Sequence, residues 1–165
     1  MRKYFLSFVA LAAMLFATSC QESIVEPQIA GPTTFTVQLP DQMGTKAFGD
    51  ETSTNVTINS LFVEVYSGNG TTLIYKPTNA IDVIGGKATF TANLIQDQKY
   101  DIIFWAQKGN AYNTSNLKSI SMENRAHNVD DGAAFFAFLN DFVPTGASQP
   151  VVLRRPFAQL NLGTT

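Results

Sequence analysis

Cys20 is the single thiol among 165 residues, and His127 is the single imidazole. A thiol without a second cysteine closes no internal disulfide, builds no cysteine-based zinc site and runs no dithiol redox cycle. What Cys20 can do is set by its neighbours. It follows the small residues Ala17, Thr18 and Ser19 at the end of the apolar run YFLSFVALAAMLFA, which Arg2 and Lys3 precede. A charged start, a short apolar stretch and a small-residue cleavage site make a secretory signal. The run falls short of the roughly 18 apolar residues that a permanent span needs. A cysteine placed first after such a site offers its sulfur for alkylation by diacylglycerol, so Cys20 is expected to be a lipid anchor in the membrane. Several acyl chains on one residue hold more firmly than one, because each buried methylene adds about 0.8 kcal/mol.

The remaining reactive groups are dispersed. His127 lies in NRAHNVDD, with Asp130 and Asp131 close by in sequence. Acid–base and metal chemistry require titratable groups gathered in a pocket, whereas one histidine in a polar loop meets water. No catalytic residue, metal site or cofactor is therefore assigned, and the chain is expected not to be an enzyme. Asn55, Asn69 and Asn113 match the N-glycosylation pattern. Behind a bacterial-type lipoprotein signal they read as ordinary strand-and-turn composition. Lys46, in GTKAFGD and followed by Ala47, lies where a trypsin-like protease would reach it. Trp105, in IIFWAQ, reads as a packed side chain rather than a sugar-stacking platform.

Cleavage before Cys20 leaves 146 residues, and losing Arg2 and Lys3 takes the formal net charge from −2 to −4. Arg154 and Arg155 are then the only basic cluster. A mildly acidic chain without a basic stripe excludes a nucleic-acid partner.

The elements that must position these groups show the two-residue period of half-buried strands. Residues 21–32, QESIVEPQIAGP, have no period and two prolines, and read as a tether from Cys20 to a domain over 33–165. TTFTVQL then alternates, with Phe35, Val37 and Leu39 on one face and Thr34, Thr36 and Gln38 on the other. A polar, glycine-punctuated loop follows. VTINSLFVEVY places Leu61, Val63 and Val65 together, SGNG turns the chain, and TTLIYK returns it. After the turn signal IGG, KATFTANL alternates Ala88, Phe90, Ala92 and Leu94 with polar residues, and IQDQ turns again. KYDIIFWAQ is apolar at nearly every position, as a strand covered on both faces would be.

Between Lys108 and Gly132 the period is lost, so a long loop is expected, with one short strand near LKSISM. AAFFAFL is either a strand or a buried helical turn, since its length lets periodicity decide neither. In QPVVLRRPFAQLNLG, Val151 and Leu153 share one parity and Ala158, Leu160 and Leu162 the other, which a bulge at Arg155 and Pro156 would reconcile. About seven strands, no amphipathic helix and evenly spaced turn signals predict an all-β sandwich. The sequence stops just after a strand, at NLGTT, which suggests a truncated C-terminus.

The segments ATSC, FTVQLP followed by GTKAFGD, DIIFWAQ and LRRPFAQLNLGT, in this order from Cys20 to the last residue, resemble the fimbrillin-like surface lipoproteins of Bacteroidetes, and among them a Bacteroides domain family of unknown function. The resemblance implies a transthyretin-like antiparallel β-sandwich, exported to the outer membrane and carried to the cell surface on a lipidated Cys20. Members act as pilin stalk, anchor or tip subunits. In those that polymerise, a protease cuts after a basic residue beyond the first strand, and another subunit's strand fills the groove left behind. Carried onto this chain, the displaceable strand is Phe35 to Leu39 and the cut falls between Lys46 and Ala47. The best-known processing favours arginine, and a second domain with a donor strand is absent here. The partners so implied are a membrane and other pilin-like subunits. A second reading is a surface module that binds glycans or host proteins through the 108–132 loop and its neighbouring aromatics.

Overall fold

Alternating β-branched and aromatic residues become strands because each strand can then give one face to a common core. A computed structural model describes residues 30–40, 58–110, 112–122 and 133–156. The described residues are all-β and form a sandwich. Its longer strands are β1 (Ala30–Gln38), β2 (Ser60–Ser67), β3 (Leu73–Tyr75), β5 (Lys87–Ile95), β6 (Tyr100–Gln107), β9 (Ala134–Phe142) and β10 (Gln149–Val152). Among the described residues, three two-residue strands complete the set: β4 (Ile81–Asp82), β7 (Tyr112–Asn113) and β8 (Ser121–Met122). β8 falls where LKSISM predicted it.

One sheet has the order β10-β1-β5, and the other runs β3-β2-β6-β9 with β4 also on β2. Between them, Phe35, Val37, Leu61, Val63, Phe90 and Phe104 are among the side chains that form the core, all nearly or wholly inaccessible. β5 buries Ala88, Phe90, Ala92 and Leu94 as its alternation predicts. β6 is covered on both faces, with only Ile103 half-buried. AAFFAFL is a strand. The ladder to β6 decides the matter, pairing Phe135 with Ala106 and Leu139 with Ile102.

Two expectations are corrected. β1 begins at Ala30, inside the stretch read as tether, and runs through Pro32. Pro32 is tolerated because β10 flanks β1 only from Phe35 onward, so no ladder on that side needs its missing N–H. The sandwich is also not wholly antiparallel, since β1 pairs with β5 antiparallel but with β10 in parallel. Parallel neighbours need a long connection, and here the whole second sheet is built between them.

The chain passes between the sheets at both sides of the sandwich. Gly85 and Gly86, both at positive φ, make a two-residue turn closed by reciprocal bonds between Ile84 and Lys87, and this carries β4 into β5. On the other side, β10 leaves β1 so that Arg154 can exchange two backbone hydrogen bonds with Phe136 of β9. Val151 and Leu153 share the inward face, as expected. The proposed bulge partners beyond Pro156 lie outside the described residues.

Candidate functional site

The first strand occupies the middle of its sheet. Phe35, Val37 and Leu39 are 0, 2 and 4% exposed, and Thr33 joins them on the inner face. Burial of such apolar side chains stabilises by about 1.5–3 kcal/mol each. The Phe35 ring lies between those of Phe90, Phe104 and Phe142, with centroids 5.6, 5.7 and 5.3 Å away. Leu39 follows the strand proper, where its N–H donates to the Gly86 carbonyl at 2.8 Å, and the Leu153 N–H donates to the Gln38 carbonyl at 2.9 Å. β1 is thus held on both edges and along its inner face. Outside, Thr34 and Thr36 face solvent, with Thr34 Oγ1 3.2 Å from Thr91 Oγ1.

A second site was not anticipated. On the outer face of the other sheet, Glu64 of β2 is 1% exposed. Its Oε2 accepts from the Tyr66 hydroxyl at 2.5 Å and from the Leu117 N–H at 3.0 Å, and its Oε1 accepts from Lys76 Nζ at 2.8 Å. Lys76 Nζ also donates to the carbonyls of Ser115, at 2.6 Å, and Thr114, at 3.3 Å. Lys118 Nζ lies 3.6 Å from the centroid of the Tyr66 ring and donates to the Gly70 carbonyl. Burial first, then the hydrogen bond and the charge of Glu64, push the Tyr66 phenol well above its ordinary range. A charge inside SLFVEVY was the available signal, because a carboxylate flanked by apolar strand residues must find partners if it is covered.

Trp105 is packed beneath the 112–122 segment. Tyr112 meets it edge-on at 5.1 Å, and its indole N–H donates to Gln107 Oε1 at 2.8 Å. Beside this cluster, Phe136 and Phe138 remain 38 and 51% exposed. Arg155 lies over the Phe135 ring at 5.4 Å. Asn69 Oδ1 accepts from the Thr71 N–H, the Thr71 hydroxyl and the Ser67 hydroxyl, and Asn113 Oδ1 accepts from the Ser115 N–H, so both sequons serve turns. Cys20, Lys46, Ala47, Asn55, His127, Asp130 and Asp131 lie outside the described residues. Among the described residues, no helix is long and apolar enough to cross a membrane, and no three acidic, histidine or cysteine side chains cluster as metal ligands do.

An open cleft of about 540 Å³ at one end of the sandwich is lined by Ile74, Ile95, Lys99 and Tyr100 together with residues of the β2–β3 turn. It is bordered by the edges of β3 and β5 and adjoins the β2–β3 turn next to Tyr66 and Gly70.

No curated protein and no solved structure matches the chain. The model of a family of unknown function, DUF6562, matches residues 27–165, a stretch that takes in every strand described above. The chain therefore belongs to the DUF6562 family.

Proposed function

We propose that the chain is a lipid-anchored cell-surface structural protein, tethered through Cys20 to the outer membrane, that joins a fimbrial assembly by β-strand addition. The observation that carries this reading is the place of β1, the middle strand of its sheet, with Phe35, Val37 and Leu39 filling the core. Its departure would leave the edges of β5 and β10 facing each other across an apolar trough. Such a template rewards an incoming strand with backbone hydrogen bonds and side-chain burial together.

Covalent continuity protects the closed state, because a strand on the same chain rebinds at high effective concentration. A cut between Lys46 and Ala47 ends that advantage, and a partner's strand then competes with β1 on equal terms. Mass spectrometry of surface-released material tests the proposal. An N-terminus at Ala47 in polymeric fractions is the expected result; polymers built only of chains beginning at lipidated Cys20 would refute the processing step.

The exposure of Phe136 and Phe138 beside the 112–122 segment favours a second reading, a non-polymerising module that binds glycans or host proteins. Size-exclusion chromatography at rising concentration separates the two. Assembly produces ladders, whereas the binding module stays monomeric and saturates with ligand.

A further inference from the structure

Residues 112–122 cross the outer face of the five-stranded sheet as a strap. β7 and β8 pair with each other in a two-stranded sheet of their own. Tyr112, Leu117 and Ile120 cover Phe62, Ile103 and Trp105, forming an apolar cluster apart from the main core. Polar ties run to one carboxylate and its lysine partner, and Lys118 of the strap donates to the Gly70 carbonyl in the β2–β3 turn. Glu64 takes the Leu117 N–H, and Lys76, paired with Glu64, takes the carbonyls of Thr114 and Ser115.

We infer that the strap lifts off the sheet as a unit while the sandwich stays folded, with the Glu64–Lys76 pair as its fastening. Opening bares Phe62, Ile103 and Trp105 beside the already exposed Phe136 and Phe138, which widens the aromatic surface on that face.

The energetics favour separate opening. When the strap lifts, water reaches Glu64, Lys76 and the freed backbone groups and replaces the hydrogen bonds they lose. What remains uncompensated is the burial of a few apolar side chains, far less than the core between the sheets. Local openings of this size cost less than global unfolding. The closed state, in contrast, depends on its charges being matched, since a covered carboxylate without partners is costly. Tyr66, Lys118 and Asp101 are the other ionisable groups around the fastening, and Lys118 steadies it from the Tyr66 ring.

Trp105, the only tryptophan in the sequence, reports the event. Glu64→Gln removes the charge and turns an amide toward Lys76; Lys76→Met keeps the aliphatic stem and removes the donors. The experiment combines peptide-resolved hydrogen exchange with acrylamide quenching of Trp105 in wild type and both variants. Strap amides are expected to exchange about 10-fold or more faster than β6 amides in wild type. In either variant that folds, strap exchange and Trp105 quenching rise further while β1 and β5 exchange hardly moves. Strap and β6 amides that exchange together in wild type would overturn the inference, even if neither variant folds. So would a variant in which strap, β1 and β5 accelerate equally.

Discussion

Phe35 of β1 and Phe90 of β5 are register partners across an antiparallel strand pair, and their rings stack with centroids 5.6 Å apart and planes 24° from parallel. Cross-strand aromatic pairs of this kind stabilise a sheet beyond their buried area. The Phe35 ring also touches Phe104 and Phe142 of the opposite sheet, so one side chain joins the two layers. Phe35→Ala should therefore destabilise the domain by about 3–5 kcal/mol in denaturant titrations. Phe138→Ala, at a half-exposed position on the outer face, should change stability by about 0.5 kcal/mol or less.

Gly68 lies in the β2–β3 turn where it meets the β5–β6 turn. A methyl group placed on it would come 2.5 Å from Lys99 Cβ and 2.8 Å from the Lys99 carbonyl oxygen. Backbone on one side leaves little room to yield. Gly68→Ala is expected to cost about 1–3 kcal/mol by overpacking, measured as a lowered unfolding midpoint.

Gln107 links Trp105 to the chain beyond β6: its Oε1 accepts the indole N–H and its Nε2 donates to the Gly109 carbonyl at 3.0 Å. Gln107→Ala strands a covered indole N–H. The expected cost is about 1–3 kcal/mol, with a shift in Trp105 emission that locates the change.

Tyr66 holds its proton more tightly in the folded protein than a free phenol does, because burial and then Glu64 oppose the phenolate. The folded value is raised above the unfolded one, so the unfolded chain ionises first. The resulting stabilisation is complete below the unfolded value of about pH 10 and is lost as pH climbs through the raised folded value. In an alkaline titration followed by tyrosinate absorbance, the Tyr66 phenol should stay silent until the domain unfolds. Tyr66→Phe should remove that late phase.

Cys20→Ser removes the sulfur that would carry the lipid. The variant is expected to leave the membrane fraction, and equal partitioning of variant and parent would refute the anchor.

The alternating segments were legible because one face of each strand is buried and the other wet. Phe35, Val37 and Leu39 announced the inner face of β1, and Ala88 to Leu94 that of β5. KYDIIFWAQ showed that β6 is covered twice, but not what covers it. The covering strap carries Tyr112, Leu117 and Ile120 among polar residues, and its fit depends on outward-facing β2 and β6 side chains that no local period reveals. Glu64 was passed over for the same reason, since its partners Lys76 and Leu117 come from distant stretches of chain. The parallel pairing of β1 with β10 was equally hidden, because strand adjacency across a sandwich is a property of topology and not of any single segment.

That pairing has a consequence for how the protein comes into being. β1 is made first of the described strands and β10 last, so the three-stranded sheet cannot be completed until every other described strand has left the ribosome. Early in synthesis Phe35 and its neighbours have no finished surroundings, and closure over long loops is slow. If the chain is exported as proposed above, that delay helps it, because a polypeptide that has not yet locked its first strand in place can still be threaded through a translocon.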